Sequence, residues 1–432
     1  MTKQEILLAQ KEFLFPAVFH YFKDPLVLSH AKDQYVWDAD GNQYLDFFGG
    51  IVTVSVGHLN DHVNRRVHAQ MDKLQHVSTV FVNEPQVALA KKLASITPGG
   101  ALTKSFFSNS GTEANETAIL TARCYTGSTE IIALRHSYHG RSAGMMTLTG
   151  QSGWRLGPPQ PGVVHAVNAY CYRCPFGLEY PSCEVKCAQD VEQVIRTTTS
   201  GRVAGFIAEP IQGVGGFITP PKEYFRIVAE IVKKYGGLFI ADEVQTAWGR
   251  TGSKWFGIEH WGVEPDIITG AKGLGNGTPI GVTIARPEVA EAVKGATIST
   301  FGGNPVATTA GLAVLEYIEE QKILRNTEET GAYLTGRLLE LREKHALIGE
   351  VRGMGLLLAL ELVEDRRSKA PATAATAQVM EAAREQRIMV GKGGLYGNVL
   401  RLSPPMNIGR TDVDEFIGRL DAAFAQVEAA SK

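Results

Sequence analysis

The sequence predicts an α/β fold: a large domain on a mostly parallel sheet with crossover helices, joined to a smaller α+β domain. Three observations predict it. With 432 residues the chain has material for more than one core. From Lys104 onward, short apolar runs alternate with polar turns and helical stretches, the pattern of a parallel sheet. Two of those runs end in chemistry: Asp242 closes the apolar stretch 238–241, and Lys272 lies just past the stretch 266–269 on a Gly-rich turn. Ligands of open α/β sheets bind outside the carboxyl ends of the strands, so an acid and an amine from separate strands can meet there.

Residues 24–48 read as short strands, with Asp40-Gly41-Asn42 as a hairpin turn. Helical patterns follow at 61–77 and 84–95. The parallel-sheet strands are expected at 105–107, 130–134, 203–208, 238–241, 266–269 and 279–285. After Asn304-Pro305 come two helical stretches, then strands around 355–362 and 399–405, and a closing helix near 412–429. The helix start at 371–378 interrupts this last part. The expected division is an N-terminal segment, 1–68, that belongs with the small domain; a large domain, 69–307; and a small C-terminal domain, 308–432.

The formal net charge is −2, which gives no basic excess for nucleic acid or a membrane surface. No apolar run reaches the ~18 residues of a membrane-spanning helix. The first 22 residues carry acids and no arginine and lack a cleavable apolar core, so the reading is cytoplasmic. Cys171, Cys174, Cys183 and Cys187 are spaced C-x2-C, eight residues, C-x3-C. They are either a structural zinc set or reduced thiols acting as small hydrophobes, and neither reading makes them catalytic. No metal is assigned to the active site.

The segment 105–125 runs from strand through a small polar turn into a helix. Ser110, Gly111 and Thr112 lie where free backbone N–H groups and the helix dipole meet a phosphate, although Ser or Thr before a helix is also an ordinary cap. Tyr138 and His139 follow the strand 130–134 and offer a platform for a planar ring. Glu209 ends the strand 203–208, either as a solvated cap or as a wall of the crevice. A phosphate cradle, a ring platform, an acid for a ring nitrogen and a lysine together describe pyridoxal 5′-phosphate (PLP).

Nearly the whole chain resembles the class III aminotransferases. The motifs YLDFFGGI, VSVGH, SNSGTEANE, YHG, AEPIQG, ADEVQTAWGRTG, PDIITGAKGLGNGTPIG, TFGGNP and VLRLSPPM occur in that family's order. Within it, GIVTVSVGH, STVF at 78–81, QGV and FGGNP are most similar to the alanine–glyoxylate type. The resemblance implies a fold-type I PLP-dependent transferase with a mostly parallel seven-stranded sheet. It implies Lys272 as covalent anchor and proton carrier and Asp242 as partner of the ring nitrogen. Gln245 would serve the phenolic oxygen, Val244 and Tyr138 the ring, and His139 the loop. Thr300 would reach the phosphate of a neighbouring subunit, so a homodimer with shared sites is implied, with pairing of two dimers left open. Arg401 resembles the residue that grips a substrate carboxylate, and Ile51, Val54 and Phe19 resemble pocket walls.

The family's 4-aminobutyrate and ornithine members carry Glu where this chain has Val214, and that Glu neutralises the substrate arginine. Val214 leaves Arg401 available for carboxylates. The implied reaction moves an amino group from alanine, β-alanine or another ω-amino acid to a small 2-oxo acid, glyoxylate or pyruvate. A phospholyase acting on phosphorylated amino alcohols and a 4-aminobutyrate- or ornithine-type transaminase are the alternatives. A nicotinamide dehydrogenase is not, because the glycines 273, 275 and 277 precede a strand rather than a helix. Ala247-Trp248 stands where Gly-Phe is usual and is expected to reshape the loop near the cofactor.

Overall fold

The protein is described by a computed structural model over residues 1–430. Its centre is a seven-stranded sheet formed by β1 (Lys104–Ser108), β2 (Ile131–Leu134), β3 (Val163–Ala166), β4 (Gly205–Ala208), β5 (Leu238–Asp242), β6 (Ile267–Gly270) and β7 (Gly281–Ala285). The spatial order is β1-β7-β6-β5-β4-β2-β3. Only β7 runs against its neighbours; the other pairings are parallel. Strands β2, β4, β5, β6 and β7 are buried at every position, which explains why they read as continuous apolar runs rather than alternating ones. β3 is the strand not anticipated from the sequence. It lies at the sheet edge, is only half-buried over most of its length, and so needs no continuous apolar run.

The helix Gly111–Thr126 crosses this sheet on one face. Ala114, Asn115, Ala118, Ile119 and Ala122 form its buried stripe, and Gly127 closes it in the left-handed conformation at φ 66°. Two further sheets flank the large one. The hairpin strands Tyr35–Asp38 and Gln43–Asp46 join Leu28–Lys32 and, in parallel, Ile388–Met389 from the C-terminal part. The other sheet is antiparallel: Ile348–Met354, Leu357–Leu362, Val399–Leu402 and Gly391–Gly393. The N-terminal strands thus pair with a strand from beyond residue 308. No described helix is long and apolar enough to cross a membrane.

A buried ionic cluster ties the antiparallel sheet to the loop that follows β3. Glu361, fully buried, accepts from Tyr170 Oη, Arg173 Nε and Arg352 Nη1. Burial alone would raise the Glu361 pKa, but Arg352, with Tyr170 and Arg173, holds it below the ordinary carboxylate value. Arg352 also donates from Nε to the Gly216 carbonyl at 2.8 Å. Arg352→Met removes the cation and leaves buried Glu361 short of a partner. A loss of about 3 kcal/mol in urea unfolding is expected, and a loss below about 1 kcal/mol would contradict this account.

The cysteine loop folds beside this cluster. Cys171, Cys174, Cys183 and Cys187 line one small cleft as free thiols. Among the described residues no three His, Cys, Asp or Glu side chains are placed to hold a metal, so the zinc alternative finds no site. The thiols instead share an apolar wall with Pro175, Phe176 and Leu178, and burial pushes Cys187 up to about 12.

Candidate active site

Asp242 ends β5 and is buried. Its Oδ2 accepts from Asn115 Nδ2 at 2.8 Å and is 2.7 Å from His139 Nδ1. Among the described residues its Oδ1 accepts only the Val244 N–H, at 3.2 Å. With Nδ1 facing a carboxylate, the imidazole presents an N–H there, and its Nε2 is buried with no partner among the described residues. His139 thus contacts the acid and also lines the cleft beside it. Asn115 is a residue the sequence reading missed. Its Oδ1 accepts from Thr269 Oγ1 at 2.7 Å, and its amide also donates to the His139 carbonyl at 2.8 Å. The available signal was an amide inside a largely apolar helix stripe, where Asn is not favoured.

Glu209, at the end of β4, is also buried and accepts the N–H groups of Tyr138 (2.9 Å) and Gly213 (2.8 Å). Burial pushes its pKa up to about 7; the Asp242 charge adds to this, while His139 and the two N–H groups oppose it. Lys272 sits on a single 3-10 turn, Lys272–Leu274, with φ 46°, a left-handed value rare for a residue with a side chain. Burial lowers the pKa of its amine, Asp242 and Glu209 oppose that, and Arg401 adds to it. Trp248 packs beneath this turn: its indole N–H donates to the Ala271 carbonyl at 3.2 Å, and a Cβ on Gly270 would meet its ring at 2.6 Å. The unusual Ala-Trp pair therefore shapes the support of Lys272 and lines neither cleft described below.

Two clefts meet at Lys272. The first, ≈ 290 Å³, is lined by Ser110, Gly111, Thr112, Tyr138, His139 and Glu209 on one side and by Asp242, Val244, Gln245 and Lys272 on the other. Ser110 Oγ is taken by the Glu113 N–H at 3.2 Å, an ordinary helix cap. Helix geometry leaves the N–H groups of Gly111 and Thr112 without intrahelical partners. The turn has no room for larger residues: a Cβ on Gly111 would meet the Val244 side chain at 2.9 Å, and one on Gly140 would meet Thr112 Oγ1 at 2.6 Å. Gln245 is buried, and its Oε1 has no partner among the described residues. These features fit a phosphorylated planar cofactor: helix-end N–H groups for a phosphate, an acid and an unsatisfied amide for ring heteroatoms, and an amine. Asn115, Thr269 and His139 hold Asp242 in place for it.

The second cleft, ≈ 720 Å³, shares Thr53, Tyr138, Gln245 and Lys272 with the first. Its walls include Phe19, Ile51, Trp154, Val214 and Arg401. Val54 does not line it. Gly49, Gly50, Ile51 and Val52 all have positive φ, and this coil buries Val54 while placing Thr53 in the cleft. Arg401 lies between the rings of Phe48 (5.3 Å) and Phe217 (5.7 Å) and donates to the carbonyls of Lys392 (3.1 Å) and Gly213 (3.4 Å). Among the described residues no carboxylate pairs with it. Thr300 is exposed and lines neither cleft.

A lysine and an acid at neighbouring strand ends, over a phosphate-sized helix end, define a PLP-dependent enzyme of amino-group transfer. The chain belongs to the class III aminotransferases: the model of that family, "Aminotransferase class-III", matches residues 20–424. It is 44% identical over 423 residues to an Arabidopsis thaliana protein named alanine–glyoxylate aminotransferase 2 homolog 2, mitochondrial, covering 98% of this chain and 87% of that one. It is 39% identical over 434 residues to a leucine/methionine racemase of Thermococcus litoralis, covering 99% and 97%. An amine transaminase from an uncultivated Pseudomonas species, solved in its PLP-bound form, superposes with a TM-score of 0.90. It shares 32% identity and covers 96% of this chain and 99% of that one.

Proposed function

We propose that this transaminase takes its amino group from an α-amino acid or short ω-amino acid and passes it to a small 2-oxo acid. Alanine with glyoxylate and β-alanine with pyruvate are the pairs that the family resemblance implies. The observation that carries this reading is Arg401, a buried guanidinium with no acid partner among the described residues, on the wall of the chamber that also contains Lys272. An unpaired buried cation is costly unless an anion meets it, and a substrate carboxylate is the anion a planar guanidinium grips with two hydrogen bonds. Val214 lines the same chamber and brings no carboxylate to neutralise Arg401, which disfavours a 4-aminobutyrate- or ornithine-type enzyme.

When bound, PLP supplies the electron sink that makes the substrate Cα–H acidic. In this reading Lys272 anchors the cofactor and then carries the proton to and from Cα. Burial favours its neutral, nucleophilic form. Asp242 would keep the ring nitrogen protonated, Gln245 would meet the phenolic oxygen, Tyr138 would cover the ring, and Gly111 and Thr112 would receive the phosphate. Thr300 reaches the site of a second copy. The exposed apolar side chains Val80, Phe81, Val82, Ile298 and Phe301 support such a homodimer.

Arg401→Ala tests the substrate site. KM for alanine or glyoxylate is expected to rise about 100-fold, against less than about threefold for an uncharged amine donor. Equal effects on both would remove Arg401 from the substrate site. Product analysis separates the rivals. Phosphate release from phosphoethanolamine without any oxo acid would mark a lyase, and loss of optical activity without amino transfer would mark a racemase like the Thermococcus relative.

A further inference from the structure

We propose that the chamber beside Lys272 favours amino donors with bulky apolar side chains and that Trp154 sets this preference; the proposal rests on the amino-transfer reading above. The chamber is ≈ 720 Å³. A donor held by its carboxylate at Arg401 and its amine at Lys272 has only its side chain to fill what remains, and a methyl group leaves most of that space to water. The chamber's lining residues include no carboxylate, so a cationic donor side chain finds no partner there.

One edge of the chamber is a continuous row of aromatic rings in edge-to-face contact. Tyr138 meets Trp154 at 5.4 Å and 76°, Trp154 meets Phe19 at 6.0 Å and 63°, Phe19 meets Tyr21 at 5.5 Å and 65°, and Tyr21 meets Phe48 at 5.7 Å and 61°. Phe48 then stacks under Arg401. The row therefore runs from the expected ring platform to the expected carboxylate grip. Trp154 is its joint: it links Tyr138, after β2, to Phe19 in the irregular N-terminal segment. It stands on a single 3-10 turn, Ser152–Trp154, pinned by the next residue, whose guanidinium donates from Nε to the Thr149 carbonyl at 2.6 Å and lies 3.0 Å from His165 Nε2. Trp154 is 38% exposed, so part of its ring is free to be covered by a donor side chain. Burying apolar donor surface against such rings favours binding in proportion to the area removed from water.

The test compares methionine, phenylalanine and alanine as donors to the PLP-loaded enzyme with one fixed oxo acid. The first half-reaction of each donor is followed separately by the loss of the bound-cofactor absorbance without acceptor. In the unmodified enzyme kcat/KM for methionine is expected to exceed that for alanine about tenfold, the effect of added methylenes in an apolar pocket. Trp154→Ala should lower the methionine-to-alanine ratio about tenfold, whereas Trp154→Phe should keep it within about threefold. An unchanged ratio in Trp154→Ala, or equal falls for both donors, would reduce Trp154 to a structural support and overturn the proposal. A preference of the unmodified enzyme for alanine would overturn it too, leaving amino transfer intact. An enzyme that accepts no amino donor at all would instead sink the amino-transfer reading.

Discussion

Lys272→Ala is expected to lower turnover by roughly 10⁴-fold or more, because it removes both the covalent anchor and the proton carrier. At saturating PLP the variant should also lack the absorption band of lysine-bound cofactor. Folding should survive, since the Lys272 side chain makes no hydrogen bond to another described residue; an unchanged melting temperature serves as the control. Retention of the band would refute the assignment whatever happened to the rate. A second measurement uses the unmodified apoenzyme. Burial lowers the Lys272 pKa from 10.5, Asp242 and Glu209 only partly opposing it. The neutral amine is the form that attacks a carbonyl, so the rate of PLP uptake should rise with pH through a midpoint below 10.5. A midpoint at or above the value for a free lysine would mean that charge attraction, not burial, governs this amine.

Features that repeat along the chain, or sit at its punctuation, are legible in the sequence. Buried parallel strands are continuous apolar runs, and an acid or amine placed just after one is visible without coordinates. Lys272 and Asp242 stand out that way, and the helix-end turn at Ser110–Thr112 similarly. The edge strand Val163–Ala166 does not, because its half-exposed positions impose no such run. Resemblance puts Val54 on the pocket wall, but four successive left-handed residues, Gly49 to Val52, send it into the core. Nor can spacing show that Phe48 and Phe217 sandwich Arg401, or that Asn115 and Thr269 meet under Asp242. Those contacts join residues 127 or more positions apart, and no local pattern reports them.

The support under Asp242 makes Asp242→Asn a sharper test than its small change of shape suggests. Oδ2 already faces two donors, Asn115 Nδ2 and His139 Nδ1. An asparagine in this place must turn its one oxygen toward them, which puts its NH2 where Oδ1 now lies. That position has only the Val244 N–H at 3.2 Å, so it is the oxygen left to meet a ring nitrogen. An N–H there would face a protonated ring nitrogen donor to donor, and the nitrogen would give up its proton. Without that positive charge the ring withdraws electrons from Cα far less. PLP should still bind, since the helix-end turn, Gln245 and Lys272 remain, while kcat should fall roughly 10³-fold for every donor alike. Arg401→Ala, by contrast, discriminates between donors. A variant within about tenfold of the unmodified kcat would show that Asp242 contributes hydrogen bonding and not charge. A further substitution, His139→Phe combined with Asp242→Asn, separates the two effects. Removing His139 leaves Asn115 Nδ2 as the one donor facing the Oδ2 position, which weakens the preference for that orientation, and partial recovery of kcat is expected if donor geometry, rather than the missing charge alone, limits the single variant.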